Sequence, residues 1–256
     1  AEDTGRGDIT AISTSSSADG VYAMNGGMNE VYGYENIKAI GEQTMGSPYA
    51  DNYGVLAMGT NSLNTITLNG TGTIEVSGTY GDATGVSAQD GGKDIIKGVT
   101  SIKASSTTLS GTYGIYASNG TIEVAKADGS GVDVTAEETG MGGATGIIAK
   151  GNSTVGKINN VTATANSNEA TGVRMGTGTN TIIGINNITA TTTSGPSAVG
   201  VSANGGTNSL DVAGNLKVTN TSGVTAVGVT NAGADSFTVK VQGQSEITAA
   251  RVLRRW

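Results

Sequence analysis

The chain has 256 residues, a net charge of −7, 42 Gly, one Phe, one Trp and neither Cys nor His. An acidic chain of this kind cannot neutralise a row of phosphates, which argues against nucleic acid as a partner. Without Cys there are no disulfides, thiolate zinc sites or thiol nucleophiles, and without His the commonest general base and metal ligand is missing.

The chain opens on a polar lead, residues 1–8, "AEDTGRGD". Starting on Ala rather than Met, it reads as a secreted chain after removal of a signal peptide, and so as an extracellular or cell-surface protein. Arg6-Gly7-Asp8 spells an integrin-type tripeptide, short enough to arise by chance. From Gly20 onward one pattern recurs: a Gly, a β-branched residue, and a small residue two further on. It reads "GVYAMNGG" from Gly20, "GVLAMGT" from Gly54, "GVSAQDGG" from Gly85 and "GIYASNG" from Gly114. It continues from Gly146, Gly172, Gly200 and Gly228, at intervals of 34, 31, 29, 32, 26, 28 and 28 residues. Each unit holds three short runs of period-two alternation parted by turn residues, and helical periodicity is absent.

Three strands per unit of about 28 residues match one coil of a parallel β-helix, whose coils bury their apolar sides only by stacking. The expected fold is therefore all-β, a right-handed β-solenoid of about eight three-stranded coils over residues 9–250, roughly 40 Å long at strand spacing. Its inward rows should be Val21, Val55, Val86, Ile115, Ile147, Val173, Val201 and Val229, beside Ala23, Ala57, Ala88, Ala117, Ala149 and Ala203, with Met175 and Asn231 as exceptions. On the third strand Ile37, Val76, Ile102, Val134, Val161, Ile188, Val218 and Ile247 should stack likewise. No stretch is long and apolar enough for a membrane-spanning helix.

All eight Tyr lie in the first 116 residues. Tyr22 and Tyr116, with Leu56 and Ile148 in the same slot, are expected to point outward beside outward-facing glycines, giving a flat apolar stripe for lateral contact or adhesion. Further on, Asp128 and Asp133 in "ADGSGVD" offer too few ligands for a calcium loop, so a solvated turn is expected. Glu137 and Glu138 stand side by side among mostly scattered acids and read as an exposed polar turn, not as a catalytic carboxylate pair. "GNSTVGKI" at 151–158 nearly matches a phosphate-binding loop, but Ile158 replaces the required hydroxyl and no helix follows. The N-x-[ST] sequons at Asn69, Asn119, Asn152, Asn160, Asn187 and Asn220 follow from composition. No cofactor or metal is implied.

Charge is uneven. Residues 1–60 carry eight acids and two bases, whereas residues 210–256 carry three acids and five bases. The chain closes on a basic, aromatic tail, 251–256, "RVLRRW". With no capping helix legible at either end, complementary charge suggests head-to-tail stacking into a homopolymer. Arg251, Val252, Leu253, Arg254, Arg255 and Trp256 would then meet the acidic first coils at Asp3, Asp8 and Asp19.

The repeat style, with "ATGV"-like strands, "GGTN" turns and "NNITAT"-like strands, resembles the β-helical passenger regions of autotransporters and filamentous-haemagglutinin-like adhesins. The resemblance covers about residues 9–250 and carries over no catalytic motif. It implies a secreted or surface-exposed protein serving adhesion, aggregation or biofilm. The leading expectation is a non-enzymatic extracellular structural protein that assembles end to end into a filament. The alternative is a monomeric adhesin module binding glycan or a host protein through its Tyr-bearing N-terminal half, and the third is a polysaccharide-active enzyme.

Overall fold

A computed structural model describes residues 7–44, 51–107, 110–222 and 225–249. Among these residues there is no helix, and every strand pairing is parallel, so the chain winds as a β-solenoid of about eight turns. Each turn crosses three faces. The first face, which carries the repeating glycines, stacks Asp19–Met24, Asn52–Met58, Ala83–Gln89, Thr112–Ser118, Ala144–Lys150, Ala170–Met175, Ser197–Ala203 and Thr225–Asn231. The second runs from Met28–Tyr32 to Ser236–Val241, and the third from Ile9–Ser13 through Ile37–Gly41 to Ser245–Ala249. Two long strands, Leu63–Gly78 and Lys93–Ser106, pass from the second face to the third without a break and join those faces into one sheet.

The two inward rows of the first face pair in the expected register from Val21 to Val229 and from Ala23 to Asn231. Between the terminal coils these side chains are buried, because each is covered by its copies above and below at one strand spacing. Val229, in the last coil of this face, is 43% exposed.

The third face corrects the expected row. Ile37 pairs with Ile74, not Val76, and the row continues through Ile102, Val134, Val161 and Ile188 to Leu216. Val76, Val218 and Ile247 belong to the neighbouring inward row, with Ala39, Ala104, Ala136, Ala163 and Ala190. The two rows lie two residues apart on the same side of the strand, so the alternation is obeyed by either choice.

The repeating glycines also differ from expectation, since they face inward. A Cβ built on Gly20 would lie 2.5 Å from Ile37 Cγ2 and 2.6 Å from the carbonyl oxygen of Gly54 in the next coil. The same two obstacles, a β-branched γ-methyl of the third face and the next glycine's oxygen, recur at Gly85, Gly146 and Gly172. The missing side chain is what lets the third face close onto the first.

Asn and Asp turn the corner after the first face. Asn25, Asp90, Asn119 and Asn152 have φ of 54°, 51°, 52° and 68°, the left-handed region that these short polar residues tolerate best after Gly. Residues 151–158 are such a corner followed by Thr154–Gly156, with no helix to form a phosphate site.

Polar rows run inside the solenoid as well. Asn29 donates from Nδ2 to Asn64 Oδ1 at 2.8 Å, and Asn64 donates to Asp94 Oδ1 at 2.8 Å. Asp94 is fully buried and its Oδ2 has no partner among the described residues, so desolvation pushes its carboxyl up to about 8. In the following coils the same row becomes apolar, with Ile122, Val155, Ile182 and Leu210. Glu137-Glu138, expected as an exposed turn, ends the strand Val132–Glu138. Glu137 faces out and pairs with Lys103 at 3.0 Å. Glu138 is 1% exposed, accepting from Thr112 Oγ1 at 3.0 Å and from the Gly140 amide at 2.7 Å, and burial raises its pKa.

Candidate functional site

The outward side of the first face carries two rows. One runs Asp19, Tyr53, Thr84, Tyr113, Thr145, Thr171 and Val199, and the other Tyr22, Leu56, Ser87, Tyr116, Ile148, Arg174 and Ser202. In the third coil both rows shrink to a hydroxyl residue, Thr84 and Ser87, each buried between bulkier neighbours. Tyr53 stands one coil to one side, and Tyr113 and Tyr116 one coil to the other, about 10 Å apart at two strand spacings. The result is a cleft of about 240 Å³ lined by Asp51, Tyr53, Asp82, Thr84, Gln89, Tyr113 and Tyr116.

The far wall is a pair of rings, Tyr113 and Tyr116, with centroids 5.9 Å apart and planes at 60°. Tyr113 folds back over Gly111, where an added Cβ would collide with its ring and hydroxyl. Lys150 Nζ lies over the Tyr116 ring, 5.0 Å from its centroid, so this ring already carries a cation on one face. Beyond it Arg174 pairs with Glu169, which also accepts from Thr171 Oγ1 at 2.8 Å and Ser197 Oγ at 3.0 Å.

The acidic side is built at the strand entrances. Asp51 and Asp82 precede Asn52 and Ala83, which are in register on adjacent coils. Asp82 Oδ1 accepts the Gly111 amide at 2.7 Å, and the Tyr53 hydroxyl donates to Asp51 Oδ2 at 3.3 Å. Burial raises the carboxyl of Asp82, and the negative charge of Asp51 raises it further. Asp19 is raised by the same two causes in the same order, against a lowering backbone hydrogen bond from Tyr53. The phenols of Tyr53 and Tyr113 are raised by burial first and by the carboxylates second, so both remain protonated donors.

The expected adhesive residues are thus only partly on display. Tyr22 is 39% exposed and the Tyr116 ring is half-buried, but Leu56 is 4% and Ile148 8% exposed. Stacked neighbours one strand spacing away overhang these shorter side chains, and with the glycines facing inward no continuous apolar stripe forms. What the face offers instead is aromatic and acidic. Sequence reading missed Asp51, Tyr53, Asp82, Thr84, Gln89 and Tyr113 as a group. Their signal is the pair of positions one and three before the glycine, in "DNYG" at 51–54 and "DATG" at 82–85.

Of the expected subunit contacts, Asp3, Arg251, Val252, Leu253, Arg254, Arg255 and Trp256 lie outside the described residues, as does Arg6 of the Arg-Gly-Asp tripeptide. Asp8 is described and engaged, pairing with Lys38 Nζ at 2.5 Å and accepting from Asn36 Nδ2 at 2.7 Å. Both contacts hold its carboxyl below the usual range. Asp128 caps its own turn by accepting the Ser130 amide at 2.9 Å, while Asp133 accepts from Asn159 and Asn160 at 2.8 and 2.7 Å. No group of three acidic residues able to hold a metal ion is found among the described residues, and they include no helix long and apolar enough to cross a membrane.

Fold and cleft together define a β-solenoid whose lateral face carries an aromatic and acidic recess. Comparison with protein-family models, with curated proteins and with solved structures finds no match, so this geometry carries the functional reading.

Proposed function

We propose that the protein is an extracellular, non-enzymatic recognition module that binds glycan through the first-face cleft. The observation that carries this reading is the recess over Thr84 and Ser87, walled by Tyr53 on one side and Tyr113 and Tyr116 on the other, with carboxylates at its rim. Aromatic faces with hydroxyl and carboxylate acceptors at their edges suit a pyranose ring, which presents C–H bonds on its faces and hydroxyls around its rim. A surface role like that of autotransporter passengers and filamentous-haemagglutinin-like adhesins belongs to the same proposal and is supported by the repeat style and the solenoid fold. Glycan-array binding by the intact chain, weakened about tenfold (~1.4 kcal/mol) by Tyr113→Ala, is the expected result. Unchanged binding would falsify the reading. Incubation with the bound oligosaccharide should release no reducing ends; release would move the assignment to a polysaccharide-active enzyme.

A second reading is end-to-end assembly into a filament. The observation that favours it is the exposure of Val229 and Ile247, 43% and 52%, at inward positions of the last described strands of the first and third faces. Light scattering at high concentration across a salt series tests it, and a uniform monomer would remove it.

A further inference from the structure

Four acids on this solenoid are matched by a lysine one coil away. Lys38 pairs with Asp8, Lys93 with Glu123, Lys103 with Glu137 and Lys217 with Glu246. At the cleft no such pair forms among the described residues. Asp19, Asp51 and Asp82 sit on three successive coils, the charge of Asp51 raises the proton affinity of Asp19 and of Asp82, and none of the three has an ion-pair partner among the described residues. Asp19 Oδ1, beside Tyr53 in the same row, is buried and accepts no hydrogen bond there. In Asp51 and Asp82 one oxygen each is engaged, by the Tyr53 hydroxyl and the Gly111 amide, which fixes the carboxylates while their second oxygens accept nothing from the described residues.

Like charges held at one strand spacing in a partly desolvated recess cost free energy unless a positive group joins them. The neighbouring rings favour the same sign of charge, because the face of a tyrosine attracts a cation. Lys150 over Tyr116 is the internal example, and among the described residues no cation lies over the ring of Tyr53 or Tyr113.

We propose that the cleft selects glycans carrying free amino groups, with the sugar ring against Tyr53 and Tyr113 and its ammonium between the carboxylates of Asp51 and Asp82. This rests on the glycan-binding reading above and adds the class of sugar. An N-acetylated sugar has no charge to offer these carboxylates, so the preference should be for the unacetylated form.

Titration calorimetry on the full chain, with a glucosamine oligosaccharide and its fully N-acetylated counterpart of equal length, tests the proposal. The expected result is binding of the amino form at least about tenfold tighter. The Asp51→Asn/Asp82→Asn variant should lose that preference and bind the two forms alike. A charge-matched variant on distant coils, Asp211→Asn/Asp235→Asn, should keep the preference. Equal binding of the two sugars by the intact chain overturns the amino-sugar class and leaves glycan binding standing. Binding of neither overturns both. Loss of the preference in the distant variant as well would assign it to the chain's overall charge and overturn the site. Circular dichroism of each variant, matching that of the parent, separates a lost site from a lost fold.

Discussion

The solenoid has two halves built on one interior. Up to about residue 125 the glycine intervals are long and uneven, strands of 14 and 16 residues bridge two faces, and outward rows carry Tyr and unpaired Asp. From Gly146 the intervals settle to 26, 28 and 28 residues, and the same outward rows hold mostly Thr, Ser and Val. Inside, both halves stack the same Val, Ile and Ala rows on the same inward glycines. Stability is thus a property of the repeat, shared by both halves, whereas the proposed recognition rests on positions the repeat leaves free.

If the interior is common, its disruption should cost the same in either half. Gly85→Val and Gly172→Val each push a branched side chain into a third-face isoleucine and the next coil's backbone. Both should abolish cooperative folding, and the Ala variants should each cost about 3 kcal/mol by urea unfolding. A large cost in one half alone would break the equivalence.

One interior row does distinguish the halves, since Asn29, Asn64 and Asp94 give way to Ile122, Val155 and Ile182. Asp94 binds its proton more tightly when folded, at about 8, than in the unfolded chain, near 3.8. The native state therefore holds an extra proton between these values. Its stability should be greatest near pH 4, fall by several kcal/mol as pH rises to 8, and level off above that. Asp19, Asp82 and Glu138, also raised by burial, act in the same direction. Asp94→Asn extends the amide row, and should stabilise the protein at pH 8 and flatten the profile measured by denaturant unfolding. An unchanged slope would place the pH dependence elsewhere.

The outward rows should separate the halves by binding. Tyr53→Ala and Tyr113→Ala should each weaken glycan binding about tenfold, whereas Val199→Ala, in the same row four coils beyond Thr84, should leave it unchanged. The smallest effects belong to the exposed ion pairs. Lys103→Ala and Lys217→Ala should each change stability by less than about 1 kcal/mol, one in each half.

The repeat was legible because a glycine marks the same point in every coil, and the first-face rows anchored to it came out in register. The third-face row did not, since the path from glycine to third strand varies in length. In "IEVSG", moreover, Ile74 and Val76 point the same way, and a shift of two residues leaves every side chain on its own face. Individual tyrosines were legible, but their grouping with Asp51 and Asp82 was not. Residues some 30 positions apart become neighbours only once the outward rows are known, and the size of their neighbours decides which of them stay exposed. Leu56 and Ile148 were misjudged for that reason.

The inward glycines have a further consequence, for how such a chain can change its length. Because a third-face methyl rests where a Cβ would be, they set a fixed gauge for the cross-section: coils can be neither widened nor pinched one at a time, but whole coils are interchangeable. Excising residues 172–199 would set Gly200 next to Gly146, Ile147 on Val201 and Val161 on Leu216, with every inward row continuous and the cleft some coils away untouched. The same gauge that forbids a single added methyl leaves the number of turns free to drift.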